Sequence, residues 1–278
     1  MSKPQSPQAS SGRPADNVSR GSKGEQSEAL DRLGRLLVPF ELHFFPELAS
    51  TNDTADQFAR EGSLNLPAIV TTARQTAGRG TRGRRWHALG TGLAATFALP
   101  IDETRPIHHL PILAGLAVRD ALTQLAGNDA AVTIKWSNDV LLNGGKVSGV
   151  LCERVNGVDL IGVGVNITRA PAEPEEVTSY AALADVRPGV EVNNVLRSVA
   201  EEMTRRLISS PPAVAWREAL DEWRRHDALL GRTVVVETPS GEVTGRANGI
   251  DAEGRLCVVR EDGVAQPVVS GSIRSISG

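Results

Sequence analysis

Hydrophobic positions are nearly missing from the first part of the chain. In MSKPQSPQASSGRPADNVSRGSKGEQSE, prolines aside, only Met1, Ala9, Ala15 and Val18 are apolar. Such a segment cannot offset the entropy of ordering it, so residues 1–28 are expected to be a disordered tail. From about residue 40 the pattern alternates between strand and helix. FELHFFPEL reads as a strand. STNDTADQFAREG reads as a helix, with Ser50 and Asp53 at capping-box spacing and Gly62 as its stop. PAIVTTARQ (67–75) and GLAATFALP (92–100) read as strands. LPILAGLAVRDALTQLAG (110–127) is apolar nearly all round, with Arg119 and Asp120 its only charges, and predicts a buried helix.

Three strands with turn chemistry follow. AVTIKWSNDVLLN turns at Asn143-Gly144-Gly145, KVSGVLCERV turns at Asn156-Gly157, and LIGVGVNIT completes the meander. Helices are predicted near 191–209 and 212–226. From about 228 the texture changes to short strands, with turns at Pro239-Ser240-Gly241, Asp251 to Gly254 and Asp262-Gly263. That predicts a small antiparallel barrel. The expected layout is a tail (1–28), a main domain (29–227) and a C-terminal barrel (228–278).

The bulk numbers narrow the class. At 278 residues and 40% hydrophobic, the chain has material for a substantial core. A net charge of −3 gives no general attraction to nucleic acid. Cys152 and Cys257 show neither disulfide nor zinc spacing, and the five histidines form no HxxxH pattern. No run reaches the roughly eighteen apolar residues that span a bilayer, and no apolar signal core opens the chain. The expected compartment is the cytoplasm, with no membrane partner.

One stretch concentrates chemistry: GRGTRGRRW, Gly78 to Trp86. Its Gly78-x-Gly80-x-x-Gly83 has the letters of a dinucleotide fingerprint. The segment that follows, RRWHALGTGL, contains Gly90 and Gly92 and no helical stripe, so the required helix is missing. A Walker loop fails as well, with Val140 and Val147 where it needs Gly and Ser or Thr. An RNA-coating tract needs more length and more aromatics than Trp86 alone. A solvated basic loop and a backbone cradle for a small anion both remain. In the second, Arg79, Arg82, Arg84 and Arg85 supply charge-assisted bonds.

Other polar clusters also admit two readings. Lys135-Trp136-Ser137-Asn138-Asp139 is either a strand end entering a turn or a corner for phosphate and Mg²⁺. Alternation along one strand would put Lys135, Ser137 and Asp139 on one face. Lys146 is an edge charge or a fixed ammonium aimed at an anion. Ser50-Thr51-Asn52 caps a helix and also offers its N-terminus to a ligand. Asn166 ends GVGVN, as a turn residue or beside glycines that leave room for a flat ligand.

Taken in order, STN (50–52), Q-x-A-GRG-x-RGR-x-W (75–86), KW-x-ND (135–139), GK-x-x-G (145–149), G-x-GVN (162–166) and the terminal barrel resemble the biotin protein ligases. The likeness covers residues 40 to 276. It implies an α+β fold: a central mixed sheet flanked by helices, related to class II tRNA synthetases, with a C-terminal SH3-like barrel. It implies ATP-dependent activation of biotin to biotinyl-5′-AMP, with Mg²⁺, and transfer to one lysine of a biotin carboxyl carrier domain, such as that of acetyl-CoA carboxylase.

Carried over by position, Ser50, Thr51, Asn52 and Gln75 would meet the biotin ring. Gly78, Arg79, Gly80 and Thr81 would form a glycine-loosened flap over biotin, with Gly149 beside it. Lys146, with Arg79, would carry catalysis. Arg82, Arg84, Trp86, Lys135, Asn138, Asn166 and Arg274 would face ATP, and Asn138 and Asp139 would place the metal. Two departures stand out: Ser137 replaces the usual Pro or Thr, and Thr81 stands where some members have an Arg that helps retain the adenylate. The DNA-binding domain of regulatory members has no counterpart, so no DNA partner is expected. The family often pairs through its central sheet, so the resemblance admits a homodimer. The alternatives are a lipoate or octanoate ligase on the same fold and a non-catalytic nucleotide- or RNA-binding module.

Overall fold

The structure, a computed structural model, describes residues 28, 30–127, 129–169 and 180–277. The expected tail lies outside these apart from residue 28. A short helix α1 (30–36), not anticipated above, follows it. Leu33 in the helix and Leu37 just past its end are buried in the main core.

The chain then builds β1 (Glu41–Leu48), α2 (Thr51–Glu61), β2 (Ala68–Gln75), β3 (Gly92–Pro100) and α3 (Leu110–Ala126). Next come β4 (Val132–Lys135), β5 (Asp139–Leu142), β6 (Gly145–Val155) and β7 (Val158–Asn166). These seven strands form one sheet in the order β1-β2-β3-β7-β6-β5-β4. It is mixed: β1 and β2 run parallel, joined through α2, and the other neighbours run antiparallel.

The KWSND segment departs from the expected single strand. Residues 136–138 are a turn, and β4 and β5 fold back on each other with Lys135 opposite Asp139. The two residues are cross-strand partners rather than successive positions on one strand face. The meander therefore has four strands, not three. Its last hairpin turns as expected: Asn156 and Gly157 both take positive φ, 47° and 78°, the conformation that matches the strand twist.

Helices cover both faces. On one, α3, α4 (Val192–Met203) and α5 (Pro212–His226) enclose the main core. On the other, α2 packs Ala55 and Ala59 against Ala68, Val70, Ala98 and Leu160. Strand alternation divides β7 accordingly: Ile161, Val163 and Val165 enter the main core, while Leu160 faces α2. Gly162 and Gly164 continue the α2 face, and there the missing side chains open a hollow beside the helix N-terminus.

The C-terminal strands β8 (Thr233–Thr238), β9 (Gly241–Ile250), β10 (Leu256–Val259), β11 (Ala265–Val268) and β12 (Ser272–Ser277) form an antiparallel sheet in the order β11-β10-β9-β8-β12. The expected barrel is not closed, since β11 and β12 are outer strands that do not pair among the described residues. Edge strand β11 is four residues long and contains Pro267, which has no N–H to offer a further strand. Val234, Val236, Leu256 and Val258 belong to the same hydrophobic cluster as the central sheet. The Trp136 and Trp216 indoles donate to the carbonyls of Gly254 (3.1 Å) and Ala252 (2.9 Å) in the β9–β10 turn.

Candidate active site

The hollow is a cavity of about 310 Å³, within the range of small-molecule sites. The N-terminus of α2 forms one wall. Ser50 Oγ accepts from Asp53 N–H at 3.3 Å, the cap expected from the sequence, and Gly62 in the left-handed conformation ends the helix. Thr51 and Asn52 are nearly fully buried at the start of the helix. Gln75 Oε1 accepts from Thr51 N–H at 2.9 Å. The buried hydroxyl of Thr96, on β3, lies 2.6 Å from Asn52 Oδ1 and 2.9 Å from Thr51 Oγ1. Asn52 Nδ2 donates to Glu153 Oε2 at 2.9 Å. This wall is a row of fixed donors and acceptors, suited to a small polar ring.

The floor is built from glycines. Gly149 on β6 is the cross-strand partner of Gly164 on β7. A Cβ on Gly164 would lie 2.5 Å from Trp86 Nε1 and 2.6 Å from Trp86 Cζ2, and one on Gly149 would lie 3.3 Å from Trp86 Cζ3. A Cβ on Gly162 would lie 2.9 Å from Asn52 Cγ. The G-x-G spacing does make room, but the Trp86 indole and the Asn52 amide occupy it.

The roof is the GRGTRGRRW segment. It is folded as a hairpin: Trp86 N–H donates to Gly78 O at 2.9 Å and Gly80 N–H to Arg84 O at 2.7 Å. Gly78 has no room for a side chain, because a Cβ would sit 2.5 Å from Trp86 O. Arg79, Gly80, Thr81, Arg84 and Trp86 line the cavity. Arg79 reaches Asp53 Oδ1 and Glu153 Oε1, each at 2.5 Å. Burial works against its charge, but the two carboxylates outweigh burial and hold its pKa above the ordinary guanidinium range.

The catalytic candidate, Lys146, lines the same cavity. Lys146 Nζ lies 2.6 Å from Asp139 Oδ1 and 5.6 Å from the centre of the Trp86 ring, within cation–π reach. Lys135 Nζ approaches the same Asp139 carboxylate at 3.5 Å. Asn138 lines the cavity while its amide donates to Val150 O at 2.8 Å. As placed, the Asp139 carboxylate faces two ammonium groups and the Asn138 amide nitrogen is taken by a carbonyl.

Of the residues expected at the site, Ser50, Thr51, Asn52, Gln75, Arg79, Gly80, Thr81, Arg84, Trp86, Asn138, Lys146 and Gly149 line this one cavity. Four nucleotide-side candidates lie elsewhere. Arg82 is held by Ser272 Oγ (2.6 Å) and Ser270 Oγ (2.9 Å) of the C-terminal sheet. Burial, then the neighbouring Arg84 charge, pull its pKa below the ordinary range, so an anion nearby would favour it. Arg274 pairs with Glu237 on the surface. Asn166 is fully buried, accepting from Leu89 N–H at 3.3 Å and donating to Lys146 O at 3.4 Å, so it ties the segment after the roof to β6. Lys135 meets the site only through Asp139.

Sequence reasoning missed Asp53, Thr96, Glu153 and Tyr180. The first three are lone polar residues on elements with other evident purposes. Tyr180 lines the cavity because Ala181 N–H donates to Lys146 O, a contact that no local pattern announces.

Residues 44–168 match the biotin/lipoate A/B protein ligase family, and residues 229–274 match the biotin protein ligase C terminal domain. The chain is 34% identical to a biotin–[acetyl-CoA-carboxylase] ligase of Mycobacterium tuberculosis, over 78% of this chain and 83% of that one. It is 33% identical to a ligase of the same name from Paracoccus denitrificans, over 75% and 91%. It resembles the biotin protein ligase of Aquifex aeolicus in complex with biotin and ATP, with a TM-score of 0.71 and 26% identity, over 84% of this chain and 97% of that one.

Proposed function

The chain belongs to the biotin protein ligase family, and from that premise we propose how its site works. It is an ATP-dependent biotin protein ligase whose substrates are biotin and ATP. The relatives named for acetyl-CoA carboxylase support a biotin carboxyl carrier domain as the acceptor. The observation that carries the reading is the placing of Lys146: an ammonium that lines the same cavity as the polar wall of Thr51, Asn52 and Gln75, the first two nearly fully buried.

In this reading the biotin ring docks against that wall, and its carboxylate points toward Lys146. A carboxylate oxygen attacks the α-phosphorus of ATP, a new P–O bond forms, and pyrophosphate leaves. The two reactants are both anionic. The Lys146 ammonium, oriented by Asp139, offsets their repulsion and stabilises the charge that builds between them. Removing one such preorganised group costs about 3–4 kcal/mol in the transition state. Arg84 on the roof and Arg82 beside it supply further cations for the phosphates. Mg²⁺ accompanying the nucleotide would neutralise phosphate charge, held by phosphate oxygens and water. In the second step the acceptor lysine amine attacks the acyl carbon of the mixed anhydride, expels AMP and loses a proton. No protein nucleophile is required.

We also assign the C-terminal sheet as the SH3-like module of the family and place the boundary at 227/228. A homodimer through the central sheet and a cytoplasmic location complete the proposal. Among the described residues no helix is long and apolar enough to cross a membrane. The test is biotin-dependent exchange of pyrophosphate into ATP. Lys146→Ala should lose it while keeping the wild-type circular dichroism and melting curve. Exchange near the wild-type rate would sink the assignment of Lys146.

A further inference from the structure

The Glu153 carboxylate faces two parts of the site at once. Oε2 accepts from Asn52 Nδ2 at 2.9 Å, on the inner wall, and from Arg79 NH1 at 3.2 Å, on the roof. Oε1 accepts from Arg79 NH2 at 2.5 Å. Asp53, at the start of α2, completes the grip on the same guanidinium. Arg79 is the only side chain of the roof held by carboxylates in the described structure; one comes from α2, which forms the wall, and the other from β6, which forms part of the floor. Glu153 lies on β6, a central strand of the sheet, so its backbone is fixed. The Arg79 guanidinium is also neutralised by this pair, which leaves it little free charge to offer a substrate.

We propose that Glu153 is a positioning residue that fastens the roof through Arg79, with Asp53 as second anchor, and so sets how long the cavity holds its activated intermediate. Arg79 in this role closes the site rather than carrying the chemistry. The contact with Asn52 makes the fastening sensitive to what occupies the inner wall, because the same carboxylate holds both. Thr81, a roof residue without a charge, contributes nothing comparable, which leaves the Arg79 clasp as the retaining device. This rests on the ligase reading above.

The experiment measures release of biotinyl-AMP, formed on the enzyme from biotin and Mg-ATP and then chased with unlabelled biotin and pyrophosphatase. Glu153→Gln keeps an oxygen for Asn52 but removes the charge for Arg79. Arg79→Ala removes the other half from an exposed hairpin without touching the core. Each should speed release by about tenfold, as expected for losing charge-assisted bonds in a half-exposed site. The initial rate of pyrophosphate exchange should fall far less. The double variant should release no faster than the faster single variant. Unchanged release in either single variant, or effects that multiply in the double, would overturn the clasp. A wild-type enzyme that forms no biotinyl-AMP would instead overturn the ligase reading, and the clasp with it.

Discussion

Two glycines on one face of β7 meet different neighbours, and the difference is a prediction. A methyl group on Gly162 would collide with Asn52, with Cβ 2.9 Å from its Cγ and closer still to Oδ1. Asn52 is 4% exposed and held by Thr96, Leu151 and Glu153, so it has nowhere to go. A methyl group on Gly164 would strike the Trp86 indole at 2.5 to 2.6 Å, but Trp86 is half-buried on a hairpin that is exposed from Arg82 to Arg85, so its ring has more room to yield. Overpacking against a fixed neighbour costs about 1–3 kcal/mol. For a domain of this size, that lowers the melting temperature by roughly 2–4 °C for each kcal/mol.

Gly162→Ala should therefore lose both stability and biotin affinity. Gly164→Ala should melt within about 2 °C of wild type, by the same relation, yet bind biotin weakly, because the displaced indole no longer closes the roof over the glycine floor. The assays are thermal unfolding followed by circular dichroism, and biotin titration by calorimetry. A Gly164→Ala protein that melts as low as Gly162→Ala while binding biotin normally would refute the assignment of Trp86 to a movable roof over a glycine floor.

Two further outcomes follow from the charges. If Asp139 orients Lys146, Asp139→Asn should lower the maximal rate of adenylation and leave the Mg²⁺ concentration for half-maximal rate unchanged; a metal ligand would shift that concentration instead. His109 stacks on Trp216 with ring centroids 3.5 Å apart, and burial, helped by His108 and Arg105, lowers its pKa from 6.5 to about 4. The unfolded chain therefore binds the proton first, so the stability that depends on a neutral His109 is present above about pH 6.5 and is lost as pH falls toward 4. His226, also lowered by burial first, adds to the same trend. His109→Phe keeps a ring on Trp216 and should flatten the fall in melting temperature between pH 7 and pH 5; an unchanged slope would count against it.

Much of the site was legible because each of its parts is a local device. A serine cap, a Gly-flanked hairpin and a lysine after a tight turn announce themselves in sequence, and the fold brings them to one cavity. What stayed hidden is what depends on distant packing. KWSND read as one strand because its alternation continues through a turn that lacks Gly and Pro. Arg82 and Arg274 carry the right charge, but Ser270, Ser272 and Glu237 of the C-terminal sheet decide where they point. Glu153 looked like an ordinary strand carboxylate until the roof and α2 were placed beside it. The expected barrel stayed open for a reason visible only in topology, since a short outer strand with a proline offers no continuous edge. Helix α1 was overlooked because it is short and the polar tail before it masks the change in pattern.

The most direct measurement is the mass of an acceptor. A biotin carboxyl carrier domain incubated with this protein, Mg-ATP and biotin should gain one biotinyl group on a single lysine. The gain should disappear with Lys146→Ala and should not occur with lipoate in place of biotin. No added mass with biotin, or a lipoyl group transferred instead, would contradict the account.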